Sequence, residues 1–214
     1  MNLAFDNTTG KRLPLPGVIL PRYAKSTEEK TKRTKKKAEV FTPVWIIKKM
    51  VDEVWEDDLD KTYLEICCGE APFITTRYEP DTGVPIVFWD RVGVLDRKLQ
   101  LALTRATTTD GLINLMTRAV KSVYGYEYQP DSLYLARMNV MASLWETVLE
   151  WDCEETDLIW CRISDGLENI VIGNFFWMDG LTGCVPGTDI PAIVYDRDKS
   201  RLVEFRSMKG VFNE

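Results

Sequence analysis

The chain has 214 residues, of which 45% are hydrophobic and 28% charged, and none is histidine. That length suits one well-packed domain, and the missing histidine excludes Ser-His-Asp and Cys-His relays and any His-ligated metal. The net charge of −6 is unevenly spread: residues 1–37 hold ten Lys/Arg against three Asp/Glu, the remainder 17 against 30.

The basic segment, ending in "KSTEEKTKRTKKK", is expected to be a flexible arm over 1–37 ahead of a body over 38–214. Its Lys30, Lys32, Arg33, Lys35, Lys36 and Lys37 are candidate phosphate contacts, which makes DNA a candidate partner. The plain alternative is a solvated tail that keeps the protein soluble. The first residues lack a charged region followed by an apolar core, so no export signal is expected. No apolar run approaches the roughly 20 residues that cross a bilayer, so no membrane association is expected. Five cysteines without a CxxC pair read as reduced thiols in a cytoplasm.

From Phe41 the texture changes. In "FTPVWIIKKMVDEVW", apolar Ile46, Ile47, Met50, Val51, Val54 and Trp55 follow helical spacing. Thr42 is the expected cap and Pro43 suits the first turn. Tyr63 to Cys67 of "YLEICCGEAPF" reads as a strand, and Pro72 to Tyr78 as the start of a helix. The pattern over 80–109 is weak, with turns at Gly83, Pro85 and Gly93, and is expected to be an insertion. "DGLINLMTRAVKSVYG" reads as a helix ending near Gly125, and "GYEY" as a strand. Pro130 then opens a long helix with Leu133, Ala136, Val140, Leu144 and Val148 on one face. A third strand is expected in "NIVIGNFF" (169–176). A hairpin follows: Ala192–Tyr195 and Arg201–Phe205, joined by Arg197-Asp-Lys-Ser. Alternating strands and helices predict a single α/β layered domain, parallel in its centre.

In such a sheet ligands sit beyond the carboxyl ends of the strands. The first strand ends at "CCGE", where Gly69 allows close backbone approach. Glu127, sixty-two residues after Glu65, falls near the end of the next strand, placed to accept hydrogen bonds from ribose hydroxyls. Neither GxGxxG nor GxxxxGK[ST] occurs, so the ligand need not be held by a phosphate.

Together "VFTPVWIIKKM", "YLEICCGEAPF" and "YGYEYQPDSLYLARMNV" resemble three ordered motifs of the adenine-N6 DNA methyltransferases, gamma-type enzymes and type I modification subunits in particular. The resemblance covers about 38–145. It implies a Rossmann-like fold that binds S-adenosylmethionine (AdoMet) and methylates DNA, in a restriction-modification or phage setting, with a specificity or partner subunit. By position Phe41, Thr42 and Pro43 would line the methionine end of AdoMet. Glu65, Cys67, Cys68, Gly69 and Phe73 would form the first loop, and Glu127 would bind the ribose. Ala71 stands where the family has a second glycine, mild if its φ is negative and costly if not. The family's (D/N)PP(Y/F/W) tetrad, which draws the amine hydrogens of a flipped adenine onto fixed acceptors, is missing. "VIGNFFW" is nearest: there Asn174 and Trp177 would be catalytic, with Asp165 as the acid toward the adenine of AdoMet. A second register, slightly favoured, puts that acid at Asp179 and leaves no tetrad downstream. The alternative to both is that Phe175, Phe176 and Trp177 are core aromatics and Asn174 caps a turn. A catalytically degenerate AdoMet- or DNA-binding accessory is the competing functional expectation.

Overall fold

The computed structural model describes residues 3–5, 11–15, 17–37, 39–151, 154–196 and 201–205. Strands β1 (Tyr63–Glu65), β2 (Val123–Glu127) and β3 (Phe175–Trp177) form a parallel sheet in the order β1-β2-β3. Tyr63 stands opposite Val123, and Gly125 opposite Phe175. The expected hairpin is present as a separate antiparallel pair, β4 (Ile193–Asp196) and β5 (Arg201–Glu204); its expected turn, 197–200, lies outside the described residues.

Among the described residues six α-helices accompany the strands: α1 (Thr27–Lys37), α2 (Val44–Val54), α3 (Val94–Arg105), α4 (Thr109–Lys121), α5 (Pro130–Glu150) and α6 (Thr156–Asn174). Helices α3 to α6 pack on one another and supply most of the main core. Residues alternate between the faces of a strand, and the sheet uses this to build two cores. Val123 and Phe175 face the helical core, whereas Tyr126 and Phe176 face a smaller cluster with Met178 and Ala192. Gly125 is required between them: a Cβ there would come within 2.6 Å of the Phe175 ring.

The expected helix opened by Pro130 is α5, and Leu133, Ala136, Val140, Leu144 and Val148 are all buried. Elsewhere the chain departs from expectation. Residues 169–174 belong to α6, and the third strand is only Phe175–Trp177. Ile159, Ile163, Leu167 and Val171, four apart, bury one face of that helix and draw the apolar run into it. Residues 72–78 form turns instead of a helix, because buried Asp96 captures their polar groups. It accepts from Thr75 Oγ1 at 2.8 Å, from Thr76 N–H at 2.6 Å and from Gly93 N–H at 3.1 Å. The expected insertion over 80–109 contains α3, whose Leu95, Leu99 and Ala102 are core residues. Thr42 does not cap α2; Pro43 holds the cap position, and Glu79 Oε1 accepts from Val44 N–H at 3.4 Å.

The segment expected as a flexible arm carries α1 and buried Leu3 and Leu13. Fully buried Arg137 donates to the carbonyls of Leu3 (2.8 Å) and Phe5 (2.5 Å) and to that of Phe175 (2.5 and 3.1 Å). No helix among the described residues is long and apolar enough to cross a membrane.

Candidate functional site

The segments that follow the three parallel strands line one cavity of about 590 Å³. Ile66, Cys67, Cys68 and Gly69 follow β1. Glu127 ends β2 and is followed by Tyr128 and Gln129. Beyond β3 come Asp179, Gly180 and Leu181. Phe41 and Thr42, on the approach to α2, complete the wall with Phe73, and the last turn of α1 adds Lys35, Lys36 and Lys37.

The turn after β1 and the acid ending β2 are directly bonded. Gly69 N–H donates to Glu127 Oε2 at 2.8 Å, and Gln129 N–H to Oε1 at 2.7 Å. Gly69 lies at φ +56°, and a Cβ there would meet only the Phe41 ring, at 4.0 Å. The glycine therefore permits the turn and leaves its backbone clear. Burial pushes the Glu127 carboxyl pKa up, while the two backbone N–H groups pull it part of the way back. Two residues on, Ala71 sits at φ +66°, in the left-handed region that costs an L-residue roughly 1–2 kcal/mol. The family-like glycine position is thus occupied by a strained alanine.

Neither cysteine of the turn is poised as a nucleophile. Burial, then the charges of Glu127 and Glu65, raise Cys67, and the same causes lift Cys68 far above its ordinary value, so both stay thiols at neutral pH. At the third strand Asp179 Oδ1 accepts from Leu181 N–H at 2.9 Å and Thr182 N–H at 3.3 Å. Gly180 presses against the end of β1: a Cβ there would lie 1.9 Å from the Ile66 carbonyl oxygen.

No family model, curated protein or solved structure matches the chain.

Of the residues singled out in the sequence, Phe41, Thr42, Cys67, Cys68, Gly69, Phe73, Glu127 and Asp179 line the cavity. Pro43 does not; it ends the approach to α2. Glu65 lines a different groove, with Leu64 and Met50. The constellation of Asp165, Asn174 and Trp177 is not assembled. Asp165 is exposed in the middle of α6. Asn174 is buried and donates to the carbonyls of Val120 (2.9 Å), Lys121 (3.3 Å) and Val123 (2.9 Å), which ties the end of α6 to the turn before β2. Trp177 Nε1 donates to Tyr128 O at 2.9 Å, and its ring packs on the helical core.

The basic residues divide likewise. Lys35, Lys36 and Lys37 border the cavity. Arg33 is committed to Glu39 and Asp131, both at 2.7 Å, and Lys30 Nζ donates to Asp81 O at 3.2 Å. Three further residues of the wall carry no sequence signal: Glu39, Gln129 and Ser132. Gly180 did carry one, as a glycine directly after an acid at a strand end. A wall with three carboxylates, three aromatic rings and a lysine group suits a polar ligand that has hydroxyl or cationic donors and also an anionic group.

Proposed function

We propose that this cavity binds S-adenosylmethionine and that the chain is a DNA methyltransferase of the adenine-N6 type, or the modification subunit of such a system, on a Rossmann-like fold. The observation that carries this reading is the Gly69–Glu127 hydrogen bond, which joins two of the three family-like motifs; the third, at Phe41 and Thr42, lines the same wall. The volume falls within the roughly 300–1,000 Å³ of small-molecule sites. Glu127 keeps free lone pairs beside its two backbone bonds and accepts the ribose hydroxyls. Gly69 leaves room for the ligand against the turn. Asp179 serves the adenine end, and Phe41 and Thr42 the methionine end. Bound AdoMet supplies an electrophilic methyl group; the residues described here orient it. Lys35, Lys36 and Lys37 lie where DNA phosphates would pass the cavity mouth.

A second reading, that the chain is a degenerate AdoMet- or DNA-binding accessory acting through a partner, is favoured by one observation. Asn174 is bonded to three carbonyls in the interior and is not free to position an adenine amine. Isothermal titration with AdoMet tests both readings together. The intact chain is expected to bind, and Glu127→Ala to weaken binding at least tenfold, about 1.4 kcal/mol. Absence of binding by the intact chain would remove the first reading and the AdoMet-binding form of the second. Transfer of labelled methyl to unmethylated DNA then separates them: transfer supports the enzyme, binding without transfer the accessory.

A further inference from the structure

The parallel sheet has two edge strands, β1 and β3. Among the described residues no strand pairs with the far side of β1. Residues of a parallel strand bond alternately to one neighbour and the other. Tyr63 N–H donates to Ser122 O, toward β2, so the N–H and C=O of Leu64 face outward. Beside this edge runs an apolar groove of about 170 Å³ lined by Met50, Val54, Leu64, Phe73 and Tyr124. Met50, Val54 and Leu64 are 52%, 51% and 40% exposed. Parallel strands are ordinarily covered on all sides, and a bare apolar edge invites pairing.

Glu65 borders the same groove. Burial raises its carboxyl pKa, offset only in part by a backbone hydrogen bond from Cys67. Among the described residues no lysine or arginine forms an ion pair with it. A half-buried carboxylate without a cation is a costly arrangement that an incoming base would relieve.

We propose that β1 is a receiving edge for one extended segment of a partner protein, laid parallel to it, with apolar side chains at alternate positions over the groove and a lysine or arginine against Glu65. The outward main-chain groups of Leu64 ask for a strand, the groove for alternate apolar residues, and Glu65 for positive charge. A second copy of this chain fits less well: two-fold contact would run the strands antiparallel and set Glu65 against Tyr63 instead of a base. A parallel guest ends, as β1 does, at the cavity, and Phe73 lines both cavity and groove. The proposal does not depend on which ligand fills the cavity.

Random ten-residue peptides displayed on phage and selected against the whole chain test this directly. The expected consensus alternates Val, Ile or Leu and carries one Lys or Arg at a fixed place. Synthetic peptides of that consensus should slow hydrogen exchange of the Leu64 amide. Leu64→Lys and Met50→Glu should each weaken them at least tenfold, and Glu65→Gln should erase the preference for the basic residue. No consensus, or binders that ignore both Leu64→Lys and Met50→Glu and leave the Leu64 amide unprotected, would overturn the proposal. A dimer in sedimentation that Leu64→Lys dissociates would overturn it in favour of self-association. AdoMet titration of the same variants is a separate readout, so a failure of the cofactor assignment is told apart from a failure of the edge.

Discussion

Ala71 holds a left-handed backbone with a methyl group in place of hydrogen, and its side chain is wholly buried. Replacing it by glycine relieves roughly 1–2 kcal/mol of conformational strain, loses about 0.8 kcal/mol of methyl burial, and costs about 0.5–1 kcal/mol in chain entropy. These terms nearly cancel. Urea unfolding of Ala71→Gly is thus expected to fall within about 0.5 kcal/mol of the parent. Ala102→Gly, equally buried but inside α3, should cost about 1–2 kcal/mol. Lys98 offers a second measurement. It is fully buried and donates to Leu59 O (2.8 Å), Lys61 O (2.7 Å) and Ser122 Oγ (2.5 Å). Burial lowers its pKa from 10.5 to about 8, against the opposing pull of Asp58 and Asp60. The unfolded chain then binds more protons between these two values, so stability contributed by this group rises with pH from about 8 to 10.5 and is lowest below 8. Unfolding free energies of the parent minus those of Lys98→Met should climb over that interval, by on the order of 2 kcal/mol.

Helix α1 has no buried side chain, so apolar packing does not hold it against the body. Polar bonds do. Arg33 reaches Glu39 and Asp131, and Thr34 Oγ1 donates to Glu39 O at 2.9 Å. Burial alone would raise the Glu39 and Asp131 carboxyls, but the hydrogen bonds and charge of Arg33 outweigh it and leave both pKa values lowered. A lowered carboxyl stabilises above its ordinary pKa, here 4.5 and 3.8, and loses that contribution as pH falls through the folded value. The methyl resonance of Thr34 should therefore move toward its random-coil position on acidification below about pH 4. In Arg33→Ala it should already lie there at neutral pH, while amides of β2 keep their slow exchange. Helix α6, by contrast, is held by apolar packing. Its signature, Ile159, Ile163, Leu167 and Val171 at intervals of four, was present in the sequence. The dense run at 169–176 satisfied a strand pattern as well, and only the length of the upstream periodicity separates the two.

At the scale of the molecule, the features legible in advance are those set by local chemistry. Glycine and small residues at a strand end, an acid at the next strand's end and a Pro-initiated amphipathic helix were all readable, and they meet around one cavity. What escaped notice depends on contacts far apart in sequence. Asp96 reorganises residues 75 and 76 from twenty positions away. Asn174, attractive as a catalytic amide by its neighbours alone, is held by carbonyls more than fifty residues upstream. The basic composition of the N-terminal segment predicts a detachable arm, yet Leu3 is inserted in the core.

The guanidinium of Arg137 links Leu3 and Phe5 to Phe175. During synthesis the ribosome delivers the first of these partners some 170 residues before the last, and a clamp of this kind closes only once all are present. Residues 3 and 5 are thus placed by a contact that a nascent chain halted before position 175 has only in part.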